Sequence, residues 1–355
     1  MRNISLKFAM TALCLVAIAG TTNSSQVARA AGEPSYTAFT EGLASFTDDR
    51  DKKEVSAIAK ALGKKMNFFE SPNFTWCTSL PKGKMTKIMS EAERCYNMFA
   101  VDAGYKSWKK FWSNGRKCMG VILANKRDYR KYVKWFANNN PVWSVDGFIK
   151  NHSGSNWFTE PSDQSRNVMV THLKPNDAIF VAAVMCHLVG HHCVDRHKFN
   201  NNFTPGWLRE SMGLYFQGEV HGRLQCASYD DPYGLGEGDE ARQKGLKKAE
   251  FKTRVKKSMA KNRLRNTKNV FQLSTMKELT FLDTQKGHLM VSWMMKKKGR
   301  LSKFIHSMKS NWPATVVMEN TKGKEKAQEK ALKAVFDLTP PEADKALKKF
   351  ASSGY

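Results

Sequence analysis

Acidic residues are scarce in this sequence. Its 355 residues include 32 Asp and Glu against 58 Lys and Arg, which gives a formal net charge of +26. Such an excess surrounds a folded protein with a strongly positive field, so we expect acidic partners. Internal repeats are absent, and so are low-complexity tracts beyond the lysine enrichment. With 41% hydrophobic and 11% aromatic residues, the composition argues against a largely disordered chain, and the length excludes a mini-protein.

Long apolar runs are missing after the N-terminus. Residues 1–30 combine the basic Arg2 and Lys7 with a short apolar run and an A-x-A exit at 28–30. This order is typical of a secretory signal peptide, and the apolar run is too short for a membrane-spanning helix. The sequence therefore predicts export to a periplasmic or extracellular location after cleavage near Ala30, with an uncleaved anchor as the alternative. We expect no transmembrane segment in the remaining chain.

Cysteines are few, and Cys14 lies in the predicted signal peptide. The even number that remains permits disulfides in an exported chain, with buried free thiols as the alternative, and their connectivity stays open. Cys186 and Cys193 fall on one predicted helix, where their Cα atoms would be about 10.5 Å apart, too far for a disulfide. The six remaining cysteines are Cys77, Cys95, Cys118, Cys186, Cys193 and Cys226.

Hydrophobic patterning predicts an α+β fold. Residues 31–50 are small and polar without a sustained period, which indicates a poorly ordered lead-in. Apolar residues then recur at helical spacing, so residues 31–115 are predicted to form an N-terminal helical region. Its helices are predicted at 51–66 and 85–112.

Residues 116–230 are predicted to form a mixed core of strands and helices. Apolar stretches typical of strands lie at 118–124, 144–149 and 167–173. Helical patterning and start signals predict helices at 127–136, 178–194 and 205–217. The remaining residues, 231–355, are lysine-rich and helix-forming, and they predict a basic helical C-terminal region.

The residues with the clearest chemistry are two histidines on the predicted helix 178–194. His187 and His191 are four positions apart, so both imidazoles lie on one helix face. A helical pair of this kind is often incidental, but Glu210 follows on the next predicted helix. Two imidazoles and one carboxylate form a ligand set used by catalytic zinc, which leaves a fourth position for water. A helical projection turns Cys186 and Cys193 away from this face, which excludes them as ligands of the same ion.

These residues resemble the gluzincin metallopeptidases. The family signature is H-E-x-x-H followed by a W-L-x-E helix, and here His187-x-x-x-His191 precedes Trp207-Leu208-Arg209-Glu210. The resemblance covers roughly residues 118–308 and implies a zincin-like mixed sheet with a metal helix and a glutamate helix, followed by a mainly helical C-terminal region. It also implies that His187, His191 and Glu210 hold Zn²⁺.

One position departs from the family pattern where the chemistry most needs it. Leu188 replaces the glutamate that takes a proton from zinc-bound water, and Ser211 replaces the glycine after the ligand glutamate. A positioned general acid or base contributes about 10²–10⁴-fold in rate. The sequence therefore predicts an exported zinc-binding pseudopeptidase that binds peptides or proteins, with no assigned catalytic residue. The alternative is an active metallopeptidase with a non-standard general base, which leaves open whether the protein is an enzyme.

Other polar residues near the motif are weaker candidates for that base. Asp195, one turn after His191, is predicted to orient an imidazole rather than activate water. A helical projection places His192 about 100° from His191 and Glu219 about 180° from Glu210, so neither would face the ion on a continuous helix.

A basic tract at 242–268 contains a single acid, Glu250, and further cations follow at 296–300. Such a density of Lys and Arg predicts, as a second alternative function, a module that binds an anionic envelope polymer. The competing interpretation is a solvated helix face whose apolar residues point to the core. No nucleic-acid-reading module is present in the sequence, and export makes genomic nucleic acid an unexpected partner. The apolar residues in question are Leu246, Phe251, Val255 and Met259.

Overall fold

A six-stranded mixed sheet lies at the centre of the part of the chain that the structure describes. This computed structural model describes residues 39–112, 115–139, 155–158, 167–172, 178–198, 204–225, 245–273, 275–312 and 321–355. Its helices and strands confirm the predicted α+β class. The strands are β1 (Thr40–Glu41), β2 (Asn67–Glu70), β3 (Phe74–Thr78), β4 (Cys118–Leu123), β5 (Ser155–Phe158) and β6 (Val168–His172).

The strand order is β1-β2-β3-β4-β6-β5. β3, β4 and β6 run parallel at the centre, while β1 and β2 extend one side antiparallel and β5 forms the opposite, antiparallel edge. Every residue of β4 is buried. A near-continuous apolar run is typical of a parallel strand that is covered on both faces, which explains why β4 could be recognised in the sequence.

Helices cover both faces of this sheet. The four helices that do so are α1 (Asp49–Leu62), α2 (Lys82–Ala103), α3 (Lys126–Asn139) and α4 (Ala178–Arg196). Because side chains alternate along a strand, Val121 packs into the core beneath α1 and α3, whereas Ile122 packs into the larger core with α2 and α4. The predicted metal helix, α4, therefore lies on the opposite face of the sheet from α3.

The C-terminal part is helical, as far as the structure describes it, and it extends the core around α4. α5 packs on α4 and α8, α9 packs on α2 and α10, and α11 closes against α6, α7 and α8. These helices are α5 (Gly206–Phe216), α6 (Lys248–Ala260), α7 (Thr267–Phe271), α8 (Phe281–Met294), α9 (Arg300–Ser310), α10 (Thr321–Phe336) and α11 (Pro340–Ser353). Two short strands, β7 (Arg223–Leu224) and β8 (Leu246–Lys247), pair between α5 and α6.

The N-terminal region differs from the prediction of a purely helical segment. β2 and β3 lie inside it, and both were missed because they are short and contain polar residues. The predicted helix 85–112 corresponds to α2, which ends at Ala103 where Gly104 adopts a left-handed conformation with φ 74°. Part of the predicted lead-in is also ordered, since β1 and the start of α1 lie in it.

The expectation that no later segment is long and apolar enough to cross a membrane is wrong for α4. This helix has 19 residues, and its best window has a mean hydropathy of 1.5. However, 83% of that window is buried inside the protein, as in the central helix of a core. Length and composition alone are therefore weak evidence for a membrane span here.

Three sequence predictions lie outside the described residues. They are the signal peptide at 1–30, the strand at 144–149 and the state of Cys226.

Candidate metal centre

The predicted metal helix and glutamate helix meet at a glycine contact. A Cβ atom on Gly190 of α4 would lie 2.6 Å from the backbone N of Gly213 on α5, and one on Gly213 would lie 2.6 Å from Nδ1 of His187. Both distances are shorter than real contacts of a Cβ atom, so only glycine permits this close crossing. The close approach places Glu210, on α5, beside the histidines of α4.

The end of α4 is fixed by a buried lysine of α9. Nζ of Lys309 donates hydrogen bonds of 2.8 Å to the carbonyl oxygens of Val194, Asp195 and His197. The first two carbonyls belong to the last turn of α4 and the third follows directly after it, where a helix leaves acceptors without an internal partner. Burial lowers the pKa of Lys309 to about 7, against the opposing effect of the Asp195 carboxylate. The carbonyl contacts stabilise the ammonium form and hold α4 in register with α9.

The structure brings His187, His191 and Glu210 together in one cluster. Nε2 of His187 lies 3.4 Å from Oε2 of Glu210, and Nε2 of His191 lies 3.6 Å from the same oxygen. Ligands bound tetrahedrally at the usual zinc distances of 2.0–2.2 Å are separated from each other by about 3.3–3.6 Å. All three candidate ligand atoms lie within 4.8 Å of one another. The donor set and its spacing thus fit one tetrahedral metal ion.

The surroundings of His191 and Glu210 favour the protonation states that a metal ion requires. The His187 side chain is 4% exposed, and those of His191 and Glu210 are fully buried. Burial and the neighbouring His187 lower the pKa of His191 to about 4, so its imidazole is neutral near pH 7. Burial opposes ionisation of Glu210, but its electrostatic interactions with the adjacent His187 and His191 hold the pKa of this carboxyl below its ordinary value. Neutral imidazole and carboxylate are the ligand forms.

Gln217 contacts the centre and was missed in the sequence. It starts a π-helical segment, Gln217–His221, that extends α5, and its Nε2 lies 2.7 Å from Nδ1 of His187. A π-turn in a helix is often found at functional sites. Gln217 follows Glu210 by seven positions, so a helical projection puts the two side chains within about 20° of each other. That projection was the signal in the sequence.

The orientation of the Gln217 amide is set by a second hydrogen bond. The backbone N–H of Gln225 donates to Oε1 of Gln217 over 2.8 Å, and a backbone N–H can only donate. The amide NH₂ therefore faces His187, and Nδ1 of that ring accepts. A neutral His187 then carries its proton on Nε2, the atom that faces Glu210. Binding of a metal through Nε2 requires the other tautomer and hence a rearrangement of Gln217.

The candidate general bases are engaged elsewhere. Leu188 is buried in the main core, and Asp195 accepts a 2.7 Å hydrogen bond from Arg209 on α5. Glu219 pairs with Lys248 and lies 3.8 Å from Lys252. In the described part of the chain, Glu210 is the only carboxylate in the histidine cluster.

The remaining polar residues near the motif have contacts of their own. Nε2 of His192 lies 3.1 Å from the carbonyl oxygen of Val168 on β6, off the ligand face. His221 lies 2.7 Å from a carboxylate oxygen of Glu91 and 2.9 Å from Oε1 of Gln225. Tyr215 is buried in the core. The described cysteines are buried free thiols, namely Cys77, Cys95, Cys118, Cys186 and Cys193.

A cavity of about 580 Å³ lies near the N-terminal end of α4, but the three candidate ligands do not line it. Its walls include Ile179, His221 and basic side chains from four elements, α2, β7, β8 and α6. The cavity is therefore separate from the metal centre, although His221 and Gln225 connect its wall to Gln217 and His187. The basic residues are Lys87, Arg223, Lys247 and Lys248.

Comparison of the chain with protein-family models and with curated proteins gives no match. The resemblance to gluzincins therefore depends on the residues of the two motifs themselves.

Proposed function

We propose that the protein binds one Zn²⁺ ion through Nε2 of His187, Nε2 of His191 and a carboxylate oxygen of Glu210. The observation that carries this proposal is the pair of 3.4 and 3.6 Å distances between the imidazole nitrogens and Oε2 of Glu210 in a buried cluster. When bound in such a site, zinc supplies a Lewis acid that polarises a carbonyl group or lowers the pKa of water. The residues orient the ion and exclude bulk water.

The same proposal assigns the protein to an exported, catalytically impaired peptidase homologue that binds peptides or proteins. Leu188 occupies the position of the general base and cannot transfer a proton. Asp195 and Glu219, which the sequence offers in its place, are held by Arg209 and Lys248. Zinc binding and peptide hydrolysis are therefore separable properties of this site.

The test is the metal content of the purified protein by elemental mass spectrometry. We expect about one zinc per native chain, and loss of it in Glu210→Ala. Glu250→Ala is the matched control, because Glu250 is an exposed carboxylate of α6 that pairs with Arg254. Native protein without metal after incubation with zinc would contradict the proposal, as would equal zinc content in the two variants.

A further inference from the structure

The face of α3 that points away from the sheet carries five exposed cations, Lys126, Arg127, Arg130, Lys131 and Lys134. Lys126, Arg130 and Lys134 follow one another at intervals of four residues, and Arg127 and Lys131 form a second row beside them. Four residues of helix span about 6 Å, so the rows place cations at regular intervals over about 12 Å. The five side chains border a groove of about 410 Å³. This set is called the α3 basic face below.

Within the described residues, no carboxylate forms an ion pair with any cation of the α3 basic face. The single acid of α3, Asp128, is buried and pairs with Lys64, two residues after the end of α1. Like charges four residues apart destabilise a helix, so the face costs the protein stability when it is unoccupied. An anionic ligand would remove that repulsion.

The basic C-terminal region, where the sequence predicted anion binding, is arranged differently. Many of its cations have acidic partners, and the four apolar residues of the tract at 242–268 are buried. Four carboxylates pair with the ten cations described between residues 245 and 268, so pairing within the protein offsets part of the charge that the sequence pattern suggested. The pairs are Lys248 with Glu219, Arg254 with Glu250, Arg265 with Asp283, and Lys268 with Glu325.

The packing of α3 holds its basic face in one orientation. Tyr129, Tyr132, Val133 and Phe136 are buried against β4, β6 and α1. These apolar residues are in the core, and Trp135, which follows Arg127 and Lys131 at the same spacing, is partly buried against it, so the face lacks the broad exposed apolar stripe of a membrane-binding helix. The two guanidinium groups match phosphate geometry, with paired donors in a planar fork.

We propose that the α3 basic face binds a linear phosphodiester polymer along the helix axis. Lys126, Arg130 and Lys134 would contact successive phosphates, with Arg127 and Lys131 on the other side of the chain. The face lies across the sheet from His187, His191 and Glu210, so this binding is independent of the metal centre. An envelope polymer with phosphodiester linkages presents this chemistry to an exported protein.

The experiment measures, by fluorescence anisotropy, the affinity of the full protein for a fluorescein-labelled oligothymidylate of about 15 nucleotides over a range of salt concentrations. For a single strand, each neutralised phosphate contributes about 0.7 to the slope of log K against log salt. We expect Arg127→Gln/Arg130→Gln/Lys131→Gln to reduce the slope by about 2 and the affinity at 0.1 M salt by about 100-fold. Arg130→Gln alone should reduce the slope by about 0.7, which keeps the test valid if the triple variant is unstable.

The matched control removes the same three charges from α11, as Lys345→Gln/Lys348→Gln/Lys349→Gln. These lysines are exposed, and we expect the slope to stay within 0.7 of the native value. Equal losses in the two triple variants would overturn the proposal, because binding would then follow net charge alone. Tighter binding to phosphatidylglycerol vesicles than to the oligonucleotide, lost in the α3 variant, would overturn it in favour of a membrane surface.

Discussion

On one side of the central sheet, His187, His191 and Glu210 are buried together and form one cluster of candidate metal ligands. On the other side, the cations of the α3 basic face extend into water without acidic partners among the described residues. The first arrangement depends on atomic distances, because charges in a low-dielectric interior interact strongly over a few ångströms. The second depends on the number of charges and on salt. A single substitution in the buried cluster should therefore have a large effect on metal binding or catalysis, whereas each charge removed from the α3 basic face should weaken polymer binding by a smaller step.

The largest expected effect is a gain of catalysis at the buried site. Leu188→Glu would place a carboxylate next to His187, and we expect peptidase activity on a fluorogenic peptide mixture to rise about 10²–10⁴-fold over any native background. Leu188→Gln is the control, because its amide has the same shape and cannot act as a base. Robust native turnover that His187→Ala abolishes would contradict the assignment as an impaired peptidase.

The next largest expected effect is the pH dependence of stability that arises from His288, a buried histidine on the same side of the sheet as the metal centre. Burial, together with Lys252 and Lys248, lowers the pKa of His288 to about 3 from an ordinary value of 6.5. The unfolded chain therefore binds a proton between these values that the folded protein does not. It follows that this histidine's contribution to stability is complete above pH 6.5 and is lost progressively as the pH falls towards 3.

We expect His288→Gln to flatten the decline in the free energy of unfolding below pH 6.5, measured by urea denaturation at several pH values. The native loss attributable to His288 should amount to a few kcal/mol, about 1.4 kcal/mol for each pH unit of the window. His306→Gln replaces an exposed histidine of α9 and should leave the slope unchanged. Parallel curves for native protein and His288→Gln would contradict this account.

Much of this architecture could be predicted from local patterns. β4 and α4 have long apolar runs, β6 begins with the shorter run Val-Met-Val, and α3 has a clear amphipathic period, so their existence and approximate bounds followed from the sequence. β2 was missed because Asn-Phe-Phe-Glu is short and polar at both ends. Such a strand is specified by its partners in the sheet rather than by its own sequence.

At the metal centre too, features set by neighbouring residues in the sequence could be predicted, whereas contacts between separate elements could not. The spacing of His187 and His191 is a local property of a helix, so it could be recognised directly. The contact of Gly190 with Gly213 joins two helices and had no local signature. The distribution of basic charge could not be predicted either, because most of the ion pairs that offset part of the charge of the C-terminal tract connect residues far apart in the chain, such as Lys248 and Glu219.

The contact between Gly190 and Gly213 gives a third test, which asks whether the metal centre depends on the close packing of α4 against α5. Gly213→Ala would force a Cβ atom against His187, and we expect it to destabilise the protein by about 1–3 kcal/mol and to abolish zinc binding. Gly83→Ala is the control, because a Cβ atom on this glycine of α2 meets nothing within 4 Å. It should leave stability unchanged or raise it by up to about 1 kcal/mol. Urea denaturation and metal content measure both effects, and similar results for the two variants would contradict the close-packing account.

The smallest expected effect tests the hydrogen bond that opposes metal binding. Gln217→Glu would replace the amide with a carboxylate, which can accept from both the N–H of Gln225 and a protonated Nδ1 of His187. His187 could then present an unprotonated Nε2 to the metal without any rearrangement. Outer partners of this kind typically change metal affinity by about 10–100-fold, so we expect zinc affinity to rise by that factor in competition with a chromophoric chelator.

The same variant should lower the stability of the metal-free protein, because it buries a second carboxylate close to Glu210. A rise in zinc affinity together with a fall in the stability of the metal-free protein would distinguish the effect of the His187 tautomer from a general effect of negative charge. Asn269→Asp adds an equal charge at an exposed position of α7, and it should change neither the zinc affinity nor the stability by more than about 0.5 kcal/mol. If zinc binds the native protein but no more tightly to Gln217→Glu, the amide of Gln217 does not limit the site, and the buried side of the molecule is less dependent on single hydrogen bonds than its geometry indicates.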